Sequence, residues 1–260
     1  MDRIGNMFAS LREKGETAFV PFSVAGYPNE EQSLELFLEL CRSGCDLLEF
    51  GFPFSDPVAD GPVIQKAATT AIQNGMTMDK ALQMVARIRK ESDTPIIFFT
   101  YFNPIHRYGT ERFVAKAKEC GLDGVLVVDV PMEESGWLKP ITDEAGLSWI
   151  YLATPTTPPE RVKAMDTNGS GFLYYVSVTG VTGARNELPA DLAETCAMLR
   201  ETCRLPLAVG FGVSSPEQAA WLKPHVDAVV VGSALISRIA NGETPAQIGQ
   251  WTSRIKAALT

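Results

Sequence analysis

Histidine is scarce in this 260-residue chain, lysine in the candidate strands and long apolar runs are missing, and each shortage removes a class of chemistry. With only His106 and His225, the histidine-rich ligand set of a typical zinc or iron barrel is absent. None of the ten lysines falls in a candidate strand, so no Schiff-base lysine is on offer. Clustered basic residues are missing too: the formal charge is −8 and the pI about 4.9, which excludes a nucleic-acid footprint and requires any phosphate to be held locally. Apolar runs such as Pro95–Phe99 and Ala228–Val231 are too short to span a bilayer. The N-terminus, Met1-Asp2-Arg3-Ile4-Gly5-Asn6, has no charged-then-apolar signal pattern, so a cytoplasmic location is expected. The five cysteines (Cys41, Cys45, Cys120, Cys196 and Cys203) are odd in number and mostly fall in helical patterns, which makes them reduced packing residues. Cys41 and Cys45 can share a surface, but two ligands do not make a zinc site.

What is present is a repeated alternation. Eight short apolar runs, Ala18–Phe22, Leu47–Gly51, Pro95–Phe99, Gly124–Val128, Ser148–Leu152, Phe172–Val176, Leu205–Val209 and Ala228–Val231, alternate with amphipathic helical patterns. The helices are expected at Glu30–Cys41, Thr77–Lys90, Glu111–Cys120, Glu133–Ala145, Glu160–Met165, Asp191–Thr202, Glu217–Lys223 and Pro245–Leu259. Eight βα units in 260 residues predict a single α/β domain over residues 1–260, a (β/α)₈ TIM barrel. An open doubly wound sheet has the same local pattern, although Ser23-Val24-Ala25-Gly26-Tyr27 after the first strand is not a dinucleotide fingerprint. An extra amphipathic segment, Arg3–Lys14, reads as a cover for the bottom of the barrel. Two connections, Phe52–Pro62 after the second strand and Ser177–Pro189 after the sixth, are longer than the rest and place the chemistry at the C-terminal mouth.

In the second strand, Leu47, Glu49 and Gly51 share one face and Leu48 and Phe50 the other. The large apolar pair suits the helix-packed outside, which turns Glu49 into the barrel, where desolvation raises a carboxyl pKa toward values useful for proton transfer. A buried glutamate paired with arginine for stability is the competing reading. The next loop, Phe52-Pro53-Phe54-Ser55-Asp56-Pro57-Val58-Ala59-Asp60-Gly61-Pro62, is stiffened by three prolines and carries Asp56 and Asp60 toward the mouth, as site groups or as turn formers. Glycines at Gly210-Phe211-Gly212-Val213 and at Gly232-Ser233 precede helical patterns after the last two strands, a arrangement that cradles phosphate on backbone N–H groups; helix capping explains Ser215 without it. Val178-Thr179-Gly180-Val181-Thr182-Gly183 reads as a closing loop or as an ordinary surface loop. If a bond to carbon is broken, the substrate must act as its own electron sink.

Leu48-Glu49-Phe50-Gly51-Phe52-Pro53-Phe54-Ser55-Asp56-Pro57-Val58-Ala59-Asp60-Gly61-Pro62 resembles the signature of the tryptophan synthase alpha chain family. Phe22-Ser23-Val24-Ala25-Gly26-Tyr27-Pro28, Val128-Asp129-Val130-Pro131, Gly180-Val181-Thr182-Gly183 and Gly210-Phe211-Gly212-Val213 follow the same family pattern along the whole chain. The resemblance implies retro-aldol cleavage of indole-3-glycerol phosphate to indole and glyceraldehyde 3-phosphate, with the indole ring as the sink. It implies Glu49 as proton carrier and Asp60 as acceptor of the indole N–H. Phe22, Tyr174 and Phe211 would line the indole pocket, Gly183, Gly212, Gly232 and Ser233 would hold the phosphate, and Tyr101 and Thr182 would position the acids. It further implies no cofactor in this chain and a beta-chain partner carrying pyridoxal phosphate in an α2β2 heterotetramer, with Pro53, Asp56, Pro57, Asn103, Pro104 and Pro131 at the interface. Another phosphate-binding isomerase or epimerase barrel, and a binding-only activating subunit, are the alternatives.

Overall fold

Nine parallel strands form one sheet in the computed structural model, which describes residues 2–176, 191–210 and 212–260. They are β1 (Ala18–Val24), β2 (Leu48–Gly51), β3 (Ile96–Thr100), β4 (Gly124–Val127), β5 (Ser148–Trp149), β6 (Tyr151–Ala153), β7 (Leu173–Val176), β8 (Leu207–Gly210) and β9 (Ala228–Val231). The spatial order is β5-β4-β3-β2-β1-β9-β8-β7-β6. Because β5 and β6 are separated only by Ile150, the two ends of that order meet, and the sheet curls into a TIM barrel. The expected strand Ser148–Leu152 is thus divided. Its lower part pairs with β4, Ser148 opposite Gly124, and its upper part with β7, Tyr151 opposite Leu173. Local sequence has no means of signalling a strand that changes neighbours halfway.

Side-chain alternation sorts the core into two clusters. Ala18, Val20, Leu47, Ile97, Leu126, Ile150, Phe172, Ala208, Ala228 and Val230 fill the lumen, while Leu48, Phe50, Phe98, Val125 and Val229 pack outward against the helices. The helix Arg3–Lys14 contributes Ile4, Phe8 and Leu11 to the lumen cluster, so it plugs the bottom as its amphipathic pattern requires. Three aspartates finish that rim. Asp46, Asp123 and Asp227 each stand just before a strand and accept a backbone N–H from the first or second residue of a neighbouring one, Phe19 (2.7 Å), Ile96 (2.8 Å) and Leu207 (2.8 Å). Donors at strand starts that would otherwise be left unpaired are satisfied there, which leaves the opposite end free for chemistry.

Several helical expectations need correction. Helices Pro62–Gln73 and Phe102–Tyr108 were not foreseen. The first opens on Pro62 at N1, where a missing N–H costs nothing, and the second ends at Gly109, whose φ is +96°. The expected helix Glu133–Ala145 is a 3-10 segment, Met132–Trp137, followed by a short α-helix, Lys139–Ala145. Pro140 lacks the N–H that a continuous helix would require. Among the described residues no helix is long and apolar enough to cross a membrane.

Candidate active site

Glu49 sits opposite Phe22 of β1 and Ile97 of β3, on the lumen side and two residues before the end of its strand. It is 1% exposed, and its Oε1 has no hydrogen-bond partner among the described residues. Among the described residues no arginine or lysine pairs with it, and there the reading of Glu49 as half of a structural ion pair finds no partner. Burial first, and the nearby Asp60 charge second, push its pKa up from 4.5 to about 8. A carboxyl in that range holds its proton at neutral pH and can deliver it.

Asp60 arrives from the loop after β2 and is 6% exposed. Its place is set by its neighbours: its N–H donates to the Pro57 carbonyl (3.0 Å), its own carbonyl accepts from Gln65 Nε2 (2.8 Å), and Tyr101 Oη donates to its Oδ2 (3.1 Å). Tyr101 in turn accepts the N–H of Ala59 (3.2 Å) and packs its ring against Phe54 at 5.2 Å. Desolvation raises Asp60 to about 6, against the lowering effect of the Tyr101 hydrogen bond. The two carboxyls are therefore pushed to different pKa values, one protonated and one ionised near pH 7, the arrangement that separates an acid from a charge stabiliser. Gln65 was missed in the sequence. The available signal was Gly61-Pro62 opening a helix, which puts Gln65 in its first turn, close to the Asp60 carbonyl.

Aromatic rings surround Glu49. Phe22 and Phe99 meet edge to face at 5.2 Å, and Tyr174 is buried with its hydroxyl pKa pushed up by burial, then by the charges of Glu49 and Asp60. Two glycines make room for these rings. A Cβ at Gly51 would lie 2.6 Å from Phe22 Cε2 and 3.0 Å from the Ser23 carbonyl, and one at Gly210 would collide with Tyr174. Gly51→Ala is accordingly expected to destabilise the fold by about 1–3 kcal/mol through overpacking; an unchanged denaturant midpoint would count against this account of the pocket.

Of the expected phosphate groups, Gly212, Gly232 and Ser233 fall among the described residues, whereas Gly183 lies outside them, as do Thr182, expected to position the acids, Phe211, expected in the indole pocket, and the whole segment 177–189. Gly212 adopts φ +68°, a conformation that suits glycine. Gly232 lies against Phe22, where a Cβ would come within 3.1 Å of the ring. The two helix starts differ. Ser215 caps Pro216–Leu222 by accepting the Gln218 N–H, whereas Ser233–Ala240 opens on Gly232 with no side-chain cap. Its first N–H groups are not occupied by a capping side chain and can meet an anion.

The remaining predicted residues follow β2, β3 and β4: Pro53, Asp56, Pro57 and Pro131 on connecting segments, Asn103 and Pro104 in the first turn of the helix Phe102–Tyr108 rather than on a loop. Asp56, Asn103 and Pro131 are exposed, Pro57 and Pro104 are half-buried, and Pro53 is buried within the chain. They share this rim with Val58, which is 78% exposed, and with Trp137, which meets Phe102 edge to face at 4.5 Å. Asp129, after β4, ties that segment to the start of the helix Phe102–Tyr108 by accepting the Phe102 N–H at 2.7 Å.

Comparison with known proteins identifies the family. The sequence model of the family described as "Tryptophan synthase alpha chain" matches residues 8–258. The tryptophan synthase alpha chain of Citrifermentans bemidjiense is 47% identical over 259 residues, covering 98% of this chain and 97% of that one. Among solved structures, the tryptophan synthase alpha chain of Legionella pneumophila superposes with a TM-score of 0.91 at 35% identity, covering 100% of this chain and 97% of its own. A chain of Mycobacterium tuberculosis tryptophan synthase does so with 0.93 at 31%, covering 99% and 98%. With the signature residues assembled at one barrel mouth and relatives matching from end to end, this chain belongs to the tryptophan synthase alpha chain family.

Proposed function

We propose that this chain, as a carbon–carbon lyase of that family, cleaves indole-3-glycerol phosphate to indole and glyceraldehyde 3-phosphate. The observation that carries the reading is Glu49, a buried carboxyl whose Oε1 is unpartnered among the described residues, beside a second carboxyl held by Tyr101. Neutral Glu49 protonates the ring carbon that bears the side chain. The ring nitrogen becomes cationic, and ionised Asp60 stabilises its N–H. Glu49, now a carboxylate, takes the proton of the side-chain hydroxyl; the carbon–carbon bond breaks, its electrons flow into the ring, and the aldehyde leaves. The proton lent to the ring carbon is thereby replaced and no other reactant is consumed. The nine strands contain neither lysine nor histidine, which fits a substrate that serves as its own sink.

Phe22 and Tyr174, with Phe211, form the apolar slot for indole, and Tyr101 and Thr182 position the acids. The phosphate rests on Gly212, Gly232 and Ser233, with Gly183 added from the closing loop. The whole chain acts as one domain without a cofactor of its own. Pyridoxal phosphate belongs to a beta-chain partner in an α2β2 assembly, docked on the rim at Asp56, Pro57, Asn103, Pro104 and Pro131. Pro53, buried, sets the course of the loop beneath. Indole release from indole-3-glycerol phosphate, measured with and without a beta chain, tests the reading. Turnover of indole-3-glycerol phosphate is expected in both, faster with the partner; turnover in neither would overturn it.

A further inference from the structure

Where the fifth strand divides, the wall of the barrel is parted. β4 and β5 keep register only as far as Val125 opposite Trp149, and the last bond between them is the Ile150 N–H on the Val125 carbonyl at 3.1 Å. Beyond that point β6 pairs with β7 alone among the described strands. The Val127 carbonyl turns to its own loop and accepts the Val130 N–H at 3.3 Å. A cavity of about 440 Å³ occupies the parting. It touches Val128, Ile150 and Leu152, which pack with the lumen cluster, and also Val127, Tyr151 and Met165, which belong to the outer one. Residues on opposite faces of two strands can border one cavity only if it lies between those strands. Its polar groups are already engaged. Thr154 Oγ1 lies 3.0 Å from Thr156 Oγ1 and 3.2 Å from Thr157 Oγ1, Arg161 donates to Glu133 at 2.7 Å, and Asp129 accepts the Phe102 N–H. What is left for an occupant to cover is apolar surface, which an apolar group covers without leaving a polar partner unpaired.

The parting is also well placed. β1 and β9 stand at the middle of the strand order and the parting at its two meeting ends, so they face each other across the barrel. Gly232 lies against Phe22 on the β1–β9 side, where the substrate phosphate is assigned. A ligand held there by its phosphate extends its ring system toward the opposite wall. Leu152, which borders the cavity, is the register partner of Tyr174, one side of the indole slot, so slot and cavity adjoin. Resting on that assignment of substrate, we propose that the parting is a side pocket of the active site. It receives apolar substituents on the benzo ring, and the chain therefore also cleaves alkyl-substituted indole-3-glycerol phosphates, releasing the substituted indole and glyceraldehyde 3-phosphate. The bond broken and the protons moved are those of the unsubstituted reaction, and the substituent takes no part in them.

The test measures kcat/KM of the full-length chain for indole-3-glycerol phosphate and for its 4-, 5-, 6- and 7-methyl derivatives. A closed apolar pocket discriminates by about 10–200-fold against one added methylene. With the wall parted, at least one methyl derivative is expected within about tenfold of the unsubstituted substrate. Turnover of the unsubstituted substrate with all four derivatives lowered by more than about tenfold would overturn the side pocket and leave the assigned reaction standing. No turnover of any of the five would overturn the assigned reaction and the side pocket with it. Val130, half-buried on the loop after β4, borders the cavity, and Val130→Phe puts a ring into it. That variant is expected to lower kcat/KM for the accepted derivative, relative to the unsubstituted substrate, by about tenfold or more. A folded Val130→Phe with an unchanged ratio would overturn the proposal; if it does not fold, the five substrates on the parent chain decide.

Discussion

Glu49→Gln is expected to lower kcat for indole release by about 10²–10⁴-fold while leaving KM nearly unchanged, because the amide keeps the shape of the side chain but neither delivers nor accepts the proton. A second readout separates lost chemistry from lost structure. Burial raises Glu49 from 4.5 to about 8, so between those values the folded chain retains a proton that the unfolded chain has released. Stability present at low pH is therefore lost as pH rises through that window. Gln has no such proton. The variant should gain in Tm relative to the parent as pH is raised from about 4.5 to 8. Unchanged turnover in Glu49→Gln would remove Glu49 from the mechanism; a Tm difference independent of pH would show that the carboxyl is not held as the structure holds it.

Asp60→Asn is expected to slow turnover by about 10²–10³-fold, the scale on which one preorganised electrostatic partner of a developing charge matters. Its pH dependence carries more information than its size. With one group raised to about 8 and the other to about 6, kcat/KM of the parent should trace a bell that falls below about pH 6, as Asp60 protonates, and above about pH 8, as Glu49 ionises. These limbs belong to the interacting pair. Asparagine removes the acid limb. It also removes a charge that helps raise Glu49, so the alkaline limb should move to lower pH. Tyr101→Phe does the converse on the other side: Asp60 loses the hydrogen bond that lowers its pKa, and the acid limb should move to higher pH with the alkaline limb nearly in place. A profile whose limbs ignore both substitutions would mean that neither carboxyl governs the reaction.

How much of this was legible beforehand depends on the range of the interaction. Glu49 facing inward followed from alternation in Leu47-Leu48-Glu49-Phe50-Gly51 alone, since Leu48 and Phe50 had to meet the helices. The plug helix Arg3–Lys14 was equally readable, because its apolar stripe needs a surface to cover. Helix Phe102–Tyr108 was not. Its seven residues, FNPIHRY, are too short to show a period and include a proline, and its start is held by Asp129, 27 residues away. The role of Gly51 was likewise hidden, because the Phe22 ring that excludes a Cβ comes from another strand.

By itself the sequence determined the βα rhythm, the inward acid, the proline-stiffened loop and the family signature, since each rests on periodicity or on residues adjacent in the chain. Only the tertiary structure decided that the fifth strand divides at Ile150 between two neighbours, that Tyr101 and Gln65 hold Asp60 in place, that Ser215 caps its helix while the Gly232 helix start has no side-chain cap, and that burial separates the two carboxyls. Those outcomes depend on which distant segments come within hydrogen-bond and Coulomb range and on how much water they displace. Both are properties of the closed barrel, which no short stretch of the chain contains.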